Sequence, residues 1–332
     1  MLYPLKFHPI LKKKIWGGER LAYKSKEHEE SIGESWEISA VEDNISVVSN
    51  GILADNDLQE LIEVYMGDLV GDHIYEKFGI EFPLLIKYID ANDDLSIQVH
   101  PDDKSVQVHP NNDYAMRVEG EYGKTEMWYI VDAEKNASLV LGFNQEIDKA
   151  TYFQALHQNK LMDLLNVQKV KKGESFFIPA GLVHAIGKGC LIAEIQQTSD
   201  ITYRIYDYNR KDANGNTREL HTDLATDVID YSYQPQHRVN YTPQNNQSTR
   251  LVKCPYFTTN LLVFDRDIEK EYVHLDSFVI YMCLQGKFTI TTGECEPVLV
   301  NKGETVLIPA CFKNLTLYPD DITQILEIYV EE

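Results

Sequence analysis

One nine-residue pattern occurs twice in this chain and limits the folds that it can adopt. Residues 172–180 read KGESFFIPA and residues 302–310 read KGETVLIPA, so each position recurs 130 residues later. In both copies a Gly-Glu turn leads into a short apolar run that ends at a proline, as a strand does when a tight turn precedes it. A repeat of such a strand-and-turn unit predicts two related β modules.

The rest of the chain consists largely of short apolar runs separated by turn residues. This pattern is typical of jelly rolls, so we predict a mainly β protein with two jelly-roll barrels. Apolar residues at helical spacing, over 57–78 and 145–168, predict a few helices, which we expect to pack on the first barrel. Residues 232–250 are polar and proline-bearing, which favours a linker. The predicted domains are a first barrel with helical additions at 1–235, a linker at 236–250 and a second barrel at 251–332.

Composition excludes several classes of function. The 332 residues carry a net charge of −21, and such a field repels nucleic acid and anionic membranes. An anionic substrate would therefore need a local cationic pocket. The sequence has no run approaching the ~20 apolar residues of a membrane helix, and its N-terminus lacks a signal-peptide pattern. Five widely spaced cysteines without a CxxC motif favour reduced thiols and a cytoplasmic protein. The oligomeric state does not follow from the sequence.

The strongest candidate site lies in residues 94–103, where apolar and polar residues alternate. The alternation predicts a strand with one polar face. Gln98 and His100 are two residues apart, so their side chains leave the same face. An amide oxygen and an imidazole nitrogen placed side by side suit a divalent metal. A solvated polar face is the alternative.

A near copy of this stretch follows at residues 105–112. It makes Gln107 and His109 rival ligands to the first pair. We prefer the first copy because an apolar strand at 82–90 precedes it and provides a hairpin partner. The second copy lacks that context, which favours a helix or a loop.

Two further polar side chains lie where a barrel could use them. Glu126 shares the face of a predicted strand at 123–131 with Lys124 and Trp128. His184 follows the turn at 179–181, where a side chain can point into the mouth of a barrel. A lone histidine is more often structural, but in this hairpin we favour a ligand. The matching position in the second repeat is Asn314, so we assign the metal chemistry to the first barrel.

Four other residues admit both a structural and a functional interpretation. Lys87 interrupts an apolar strand, where it either snorkels to an edge or faces the metal pocket. Arg204 lies among alternating Ile and Tyr residues, so it is either a buried ion-pair partner or an anion clamp. Glu194 shares a strand face with Gln196. Trp16 follows an isoleucine in a turn, and core packing is its favoured role.

Several of these motifs together, in this order, resemble class I phosphomannose isomerases, zinc enzymes of the cupin superfamily, in their short bacterial-type form. The resemblance runs nearly from end to end. It implies a single zinc per chain and gives roles to particular residues. The zinc ligands fall on Gln98, His100, Glu126 and His184; the active-site arginine falls on Arg204; the pocket-lining positions fall on Lys124, Lys87 and Glu194; and Trp16 is assigned to substrate binding.

The resemblance also implies a reaction, the interconversion of mannose 6-phosphate and fructose 6-phosphate through an enediol. Such a reaction needs an electrophile at the sugar oxygens, a base and an anchor for phosphate. Arg204, Lys124 and Glu194 are the catalytic candidates, and a metal-activated water is a further candidate for the base. An iron-dependent cupin oxygenase using His100, Glu126 and His184 is one alternative. A non-enzymatic sugar-binding cupin is the other.

Overall fold

The computed structural model describes residues 1–25, 31–103, 122–211 and 215–331. The rival ligands Gln107 and His109 lie outside the described residues. The chain divides into two compact units. The unit that we call the central unit contains residues 11–36 and 86–239, and the terminal unit contains residues 1–10, 37–85 and 240–332.

Most of the regular structure is β, as predicted. The strands in the first half of the chain are β1 (Leu5–Lys6), β2 (Ile10–Gly18), β3 (Ile32–Ile38), β4 (Ala40–Val41), β5 (Asn44–Ile45), β6 (Leu84–Asp90), β7 (Ile97–Val99), β8 (Glu126–Ala133), β9 (Ser138–Phe143) and β10 (Leu165–Lys169). Those in the second half are β11 (Ser175–Ile178), β12 (His184–Ile186), β13 (Cys190–Gln197), β14 (Tyr203–Tyr206), β15 (Ser248–Lys253), β16 (Thr258–Phe264), β17 (Ile268–Glu271), β18 (Val279–Gln285), β19 (Lys287–Thr291), β20 (Val298–Asn301), β21 (Thr305–Ile308), β22 (Asn314–Pro319) and β23 (Thr323–Tyr329).

Among the described residues, the helices are few and short. They are α1 (Leu58–Tyr65), α2 (Gly67–Val70), α3 (Asp72–Phe78), α4 (Lys149–His157) and α5 (Thr222–Val228). No helix among the described residues is both long enough and apolar enough to cross a membrane.

The central unit is built on a six-stranded sheet, β11-β8-β13-β6-β3-β2, and a five-stranded sheet, β10-β9-β12-β7-β14. One core cluster takes side chains from both sheets, including Trp128 and Phe176 from the first and Leu139 and Leu141 from the second. Val140, which alternates with those two leucines, packs instead in a cluster with helix residues such as Tyr152 and Ala225. Two packed sheets with alternating inward residues form the predicted jelly roll.

The terminal unit repeats this plan with a six-stranded sheet, β1-β21-β18-β23-β16-β15, and a four-stranded sheet, β17-β22-β19-β20. Its first strand comes from the N-terminus of the chain, where Leu5 pairs with Leu307. The two copies of the sequence repeat form β11 in one unit and β21 in the other. The prediction of two related barrels is therefore confirmed.

The helices of residues 57–78 do not pack where we expected. They belong to the terminal unit, where the Phe278 amide donates to Val70 O at 3.1 Å and the Ala310 amide donates to Leu69 O at 2.9 Å. The predicted helix is also broken at Met66 and at Gly71, whose φ of +102° favours glycine. Local periodicity identified the apolar stripe, but the surface that it packs on depends on long-range contacts.

The compact units also differ from the contiguous ranges that the sequence suggested. Residues 1–10 and 37–85 contact the second barrel, so the terminal unit is assembled from three stretches of chain. Part of the predicted linker is paired in the central unit, since the Phe177 amide donates to His237 O at 3.0 Å and the Val239 amide to Ser175 O at 2.8 Å. Its last residues begin β15. The predicted boundary near residue 236 lies close to residue 240, where the last stretch of the terminal unit begins. It does not account for residues 1–10 and 37–85, which belong to the same unit.

Candidate metal centre

Three neighbouring strands of the five-stranded sheet bring polar side chains into one row. Gln98 on β7 pairs with His184 on β12 and, on its other side, with Arg204 on β14. Directly opposed residues of paired strands point to the same face. The turn before β12 contains Gly181, with φ +84°, and its amide donates to His100 O at 2.9 Å. That hydrogen bond ties the His184 hairpin to the end of β7.

Glu126, at the start of β8 in the other sheet, completes a buried cluster with His100 and His184. One ligand atom from each of the three lies within 4.8 Å of the others. His184 Nε2 is 3.2 Å from His100 Nε2 and 3.5 Å from Glu126 Oε1. All three side chains are almost fully buried. The group could hold a metal ion.

Hydrogen bonds on the far side of each ring fix which nitrogen faces the cluster. Nδ1 of His100 lies 2.8 Å from Ile201 O, and Nδ1 of His184 lies 2.8 Å from Leu182 O. A carbonyl only accepts, so in each ring Nδ1 carries the proton and donates. Each Nε2 then directs a lone pair towards the cluster, and the two Nε2 atoms are 3.2 Å apart. A cation between them would satisfy both, as in histidine-ligated metal sites.

The pKa shifts of the three cluster residues also favour a bound cation. Burial, followed by the nearby charge of Glu194, raises the pKa of Glu126 to about 7 despite Lys124 and Lys87. Burial likewise lowers the pKa of His184 to about 4 and that of His100 well below its usual value. Glu126 Oε1 is buried without a hydrogen-bond donor among the described residues. Two neutral imidazoles and an under-compensated carboxylate suit a divalent cation.

Gln98 supplies a fourth polar group at the edge of the cluster. Its amide lies 3.3 Å from His184 Nε2, with the nitrogen nearer. A half-turn of the amide exchanges its nitrogen and oxygen at almost no change in shape. Gln98 can therefore present its oxygen to a metal held by the other three residues.

Lys124 already places a positive charge in this position. Its Nζ is 2.9 Å from His100 Nε2 and forms a 3.0 Å ion pair with Glu126 Oε2. The side chain is buried and arrives just before β8, two residues from Glu126. A metal ion at the cluster would therefore contact the same two residues as the Lys124 ammonium, His100 and Glu126.

Comparison with known proteins identifies the family of the chain that carries this cluster. The model of the type I phosphomannose isomerase catalytic domain matches residues 4–136. A mannose-6-phosphate isomerase of Bacillus subtilis is 37% identical over 92% of this chain and 93% of its own length. One from Streptococcus mutans is 37% identical over 95% of each. The chain belongs to the type I phosphomannose isomerase family. In structure, it resembles the crystal structure of a Bacillus subtilis mannose 6-phosphate isomerase with a TM-score of 0.85 and 31% identity, over 98% of this chain and 99% of the other.

The matched catalytic-domain model ends before β11, so His184, Glu194 and Arg204 lie beyond it. The strand pairing described above nevertheless brings His184 and Arg204 to the ligand strand. Membership of the phosphomannose isomerase family favours an isomerase over the iron oxygenase alternative, which would use the same two histidines and carboxylate.

A chain of alternating buried charges lies behind the cluster. Glu194 Oε1 is 2.8 Å from Lys87 Nζ, and its Oε2 accepts a 2.7 Å hydrogen bond from Trp128 Nε1. Lys87 Nζ is in turn 4.0 Å from Glu34 Oε2. Burial lowers the pKa of Lys87, but Glu194 and Glu34 outweigh it and raise the pKa overall. Lys87 therefore stays charged, and it is buried between carboxylates rather than snorkelling to an edge.

Sequence reasoning did not single out Glu34, which lies in the strand β3. It accepts a 2.7 Å hydrogen bond from Trp36 Nε1 and lies 3.1 Å from Lys14 Nζ. Burial works to raise the pKa of Glu34, yet Lys87 and Lys14 lower it to about 2. The available signal was a pair of carboxylates, Glu34 and Glu37, in a short strand that also carries Ile32, Trp36 and Ile38.

Arg204 has no carboxylate partner within 4 Å in the part of the chain that the structure describes. Its Nη1 donates to Glu219 O at 2.9 Å and its Nε donates to Ser96 Oγ at 3.3 Å. Burial and the neighbouring Arg218 lower its pKa. Of the two interpretations of Arg204, the geometry favours a cation available to an anion.

Trp16 is 4% exposed and packs in the core cluster of the central unit. Its neighbours there include Ile89, Ala91 and Trp128. The substrate-binding role that the family resemblance assigned to Trp16 does not agree with this position, because an indole enclosed by core residues has no face left for a ligand. Core packing, the role favoured from the sequence alone, accounts for its burial.

Proposed function

We propose that this protein is a mannose-6-phosphate isomerase that interconverts mannose 6-phosphate and fructose 6-phosphate with one Zn²⁺ per chain. The observation that carries the proposal is the buried cluster of His100, Glu126 and His184, with Gln98 beside it, in a chain of the type I phosphomannose isomerase family. Two nitrogens, a carboxylate and an amide oxygen suit zinc with an open position.

In this proposal Gln98, His100, Glu126 and His184 hold the metal. When bound there, zinc supplies a Lewis acid that polarises the sugar oxygens. The side chains around the metal would bind the substrate and transfer the proton. Burial of the ligands excludes water, which strengthens the electrostatic interactions of the reacting groups.

Among the protein groups considered as the base, Lys124 and Glu194 differ in their contacts. Both oxygens of Glu194 are engaged, one by Lys87 and one by Trp128, and its pKa is lowered, with burial opposed by Lys87 and Lys124. Such a carboxylate is a poor proton acceptor. We assign Glu194 to positioning Lys87, and Lys124 to the reacting end of the sugar, where it can exchange a proton or bind an oxygen.

Arg204 is assigned to the anionic substrate. Its charge is not neutralised by a carboxylate of the described residues, and its fork of donors fits phosphate or a developing oxyanion. Lys87, which is paired with Glu194, and Lys124, which is paired with Glu126, add further positive charges behind and beside the cluster. These cations provide the local field that a protein with a net charge of −21 needs for a phosphorylated substrate.

A cytoplasmic location stays part of the proposal. It is supported by the five cysteines, none of which forms a disulfide, because reduced thiols are typical of reducing compartments.

The test is a coupled assay of mannose 6-phosphate turnover together with metal analysis. We expect about one zinc per chain, loss of activity after chelation and recovery with added Zn²⁺. His184→Ala should lose both metal and turnover, whereas His157→Ala, at an exposed histidine, should keep both. Iron with oxygen consumption would support the oxygenase, and sugar binding without turnover by the zinc-loaded protein would support a binding module.

A further inference from the structure

The second barrel has no counterpart of the metal cluster, yet it preserves part of the first barrel's polar architecture. The sequence repeat aligns Phe176 on β11 with Val306 on β21. Phe176 pairs with Trp128, and Val306 pairs with Tyr281. Trp128 and Tyr281 are therefore structurally equivalent positions on β8 and β18.

The next strands extend this equivalence to a buried carboxylate. Trp128 pairs with Glu194 on β13, and Tyr281 pairs with Glu327 on β23. Both glutamates are almost fully buried, and both carry a lysine partner. Lys87 lies 2.8 Å from Glu194, and Lys270 lies 2.5 Å from Glu327.

The metal-ligand positions themselves are replaced. Ile178 pairs with Glu126, and the equivalent Ile308 pairs with Val279. His184 pairs with Gln98, and the equivalent Asn314 pairs with Glu271. Val279 and Asn314 occupy the positions of Glu126 and His184. The second barrel therefore keeps the buried glutamate with its lysine partner but lacks these two candidate metal ligands.

Polar side chains continue across the sheet from Glu327. Tyr281, Glu327, Asn260 and Arg250 are successive cross-strand partners on β18, β23, β16 and β15. Directly opposed residues share a face, so the four side chains form one row. Tyr281, Glu327 and Asn260 are buried, whereas Arg250 at the end of the row is exposed. Buried polar groups are costly unless each is bonded, and here the network is dense.

Glu327 organises that network. Its Oε1 accepts hydrogen bonds from Tyr272 at 2.5 Å and an ion pair from Lys270. Its Oε2 accepts from Ser248 at 2.8 Å and from Asn260 at 3.0 Å. With its acceptor sites occupied, the carboxylate serves to fix the orientation of the surrounding donors.

A cavity of about 530 Å³ opens on this network. Its wall includes Arg250, Asn260, Lys270, Tyr272, Glu327 and Tyr329. The volume lies in the ordinary range for small-molecule sites, and a few fixed polar groups beside aromatic rings are the usual lining of such sites.

The charges of the lining indicate the kind of ligand. Arg250 and Lys270 are positive, while Glu271, Glu327 and Glu331 are negative. The excess is a single negative charge, which disfavours a phosphorylated ligand, and the two cations disfavour a metal ion. Mixed donors and acceptors with tyrosine rings instead match a neutral molecule that carries many hydroxyl groups.

We propose that the second barrel binds a neutral polyhydroxylated small molecule of the hexose class in this cavity, independently of metal. Arg250 and Tyr329 are expected to contact it. Arg250 has no ion-pair partner among the residues that the structure describes, and the Tyr329 hydroxyl accepts a 3.2 Å hydrogen bond from Asn260, which leaves its own proton available to a ligand.

The test is ligand-observed NMR with the full chain, chelated to remove metal, and with free mannose, fructose and glucose as probes. We expect saturable, weak binding, with Kd on the order of mM. Arg250→Ala should weaken it by at least about tenfold, and Tyr329→Phe should weaken it measurably. Arg266→Ala, at an exposed arginine of the same unit outside the cavity lining, and Arg204→Ala in the first barrel should leave it unchanged.

Other results would overturn the proposal. Absence of binding by all three sugars would do so, as would binding that survives both Arg250→Ala and Tyr329→Phe. Loss of binding in Arg204→Ala alone would place the sugar in the first barrel. Displacement of the probe by inorganic phosphate would show an anion site instead. Thermal unfolding of each variant checks that it is folded. Because the experiment uses metal-free protein, its outcome does not depend on the proposed isomerase activity.

Discussion

Replacing Arg204 tests whether its charge serves the substrate or the fold. The guanidinium lies on the strand beside Gln98 and, within the part of the chain that the structure describes, donates to a hydroxyl and a backbone carbonyl. Arg204→Ala removes these two donors together with the charge. The two proposed roles then predict different losses, one in turnover and one in stability.

The stability cost should be small. Both hydrogen bonds come from a charged donor but are partly or fully exposed to solvent, so we take about 1 kcal/mol net for each; the loss of two then corresponds to roughly 1–2 kcal/mol and a fall of a few degrees in Tm. The repulsion between Arg204 and Arg218, which helps to lower the pKa of Arg204, is relieved at the same time. That relief offsets part of the loss.

The catalytic cost should be much larger. A charge-assisted interaction used in the transition state is worth roughly 2–4 kcal/mol, so kcat/KM should fall about 10²–10³-fold. Arg204→Lys should recover little, because an ammonium does not reproduce the planar fork of donors. Zinc content should stay at the wild-type level, since Arg204 does not belong to the ligand cluster.

The assay is mannose 6-phosphate turnover, with Tm and metal content measured on the same preparation. Arg210→Ala is the matched control. Arg210 forms a 2.6 Å ion pair with Asp207 and donates to Asp94 O, so its loss should lower Tm and leave kcat/KM close to that of the wild type. Near-normal kcat/KM in folded Arg204→Ala would remove Arg204 from the catalytic site.

Three further variants test the cluster and one tests the charges behind it. His100→Ala should abolish turnover and lower zinc affinity, while His109→Ala should do neither; the reverse result by metal analysis would move the site to the second copy of the motif. Lys124→Met should lose turnover but retain zinc, and loss of metal would instead make Lys124 part of the ligand framework. Glu34→Gln should remove a pH-dependent part of stability. Because the pKa of Glu34 is about 2 in the fold against an ordinary 4.5, its contribution, on the order of 3 kcal/mol, is fully present above about pH 4.5 and is lost as pH falls towards 2. Urea unfolding at about pH 6 and about pH 3 measures it, and parallel losses in wild type and Glu34→Gln would contradict the assignment.

The sequence by itself determined the local elements and the type of chemistry. The period of two around Gln98 and His100 predicted a polar strand face, and the glycine turn before His184 predicted a directed side chain. The repeat predicted two related barrels, and the equivalent strands β11 and β21, one in each barrel, confirm this prediction. These features depend on residues within a few positions of one another, where alternation and turn chemistry act directly.

The tertiary structure decided which of these pieces meet. The contacts of Gln98 with His184 and Arg204, the Lys87 pair with Glu194, the enclosure of Trp16 and the packing of residues 57–78 all join segments that are distant in sequence. A strand's periodicity states which side chains share a face but not which strand lies beside it. Partner and register depend on the burial of whole sheets and on loop closure across long separations, so only the folded chain fixes them.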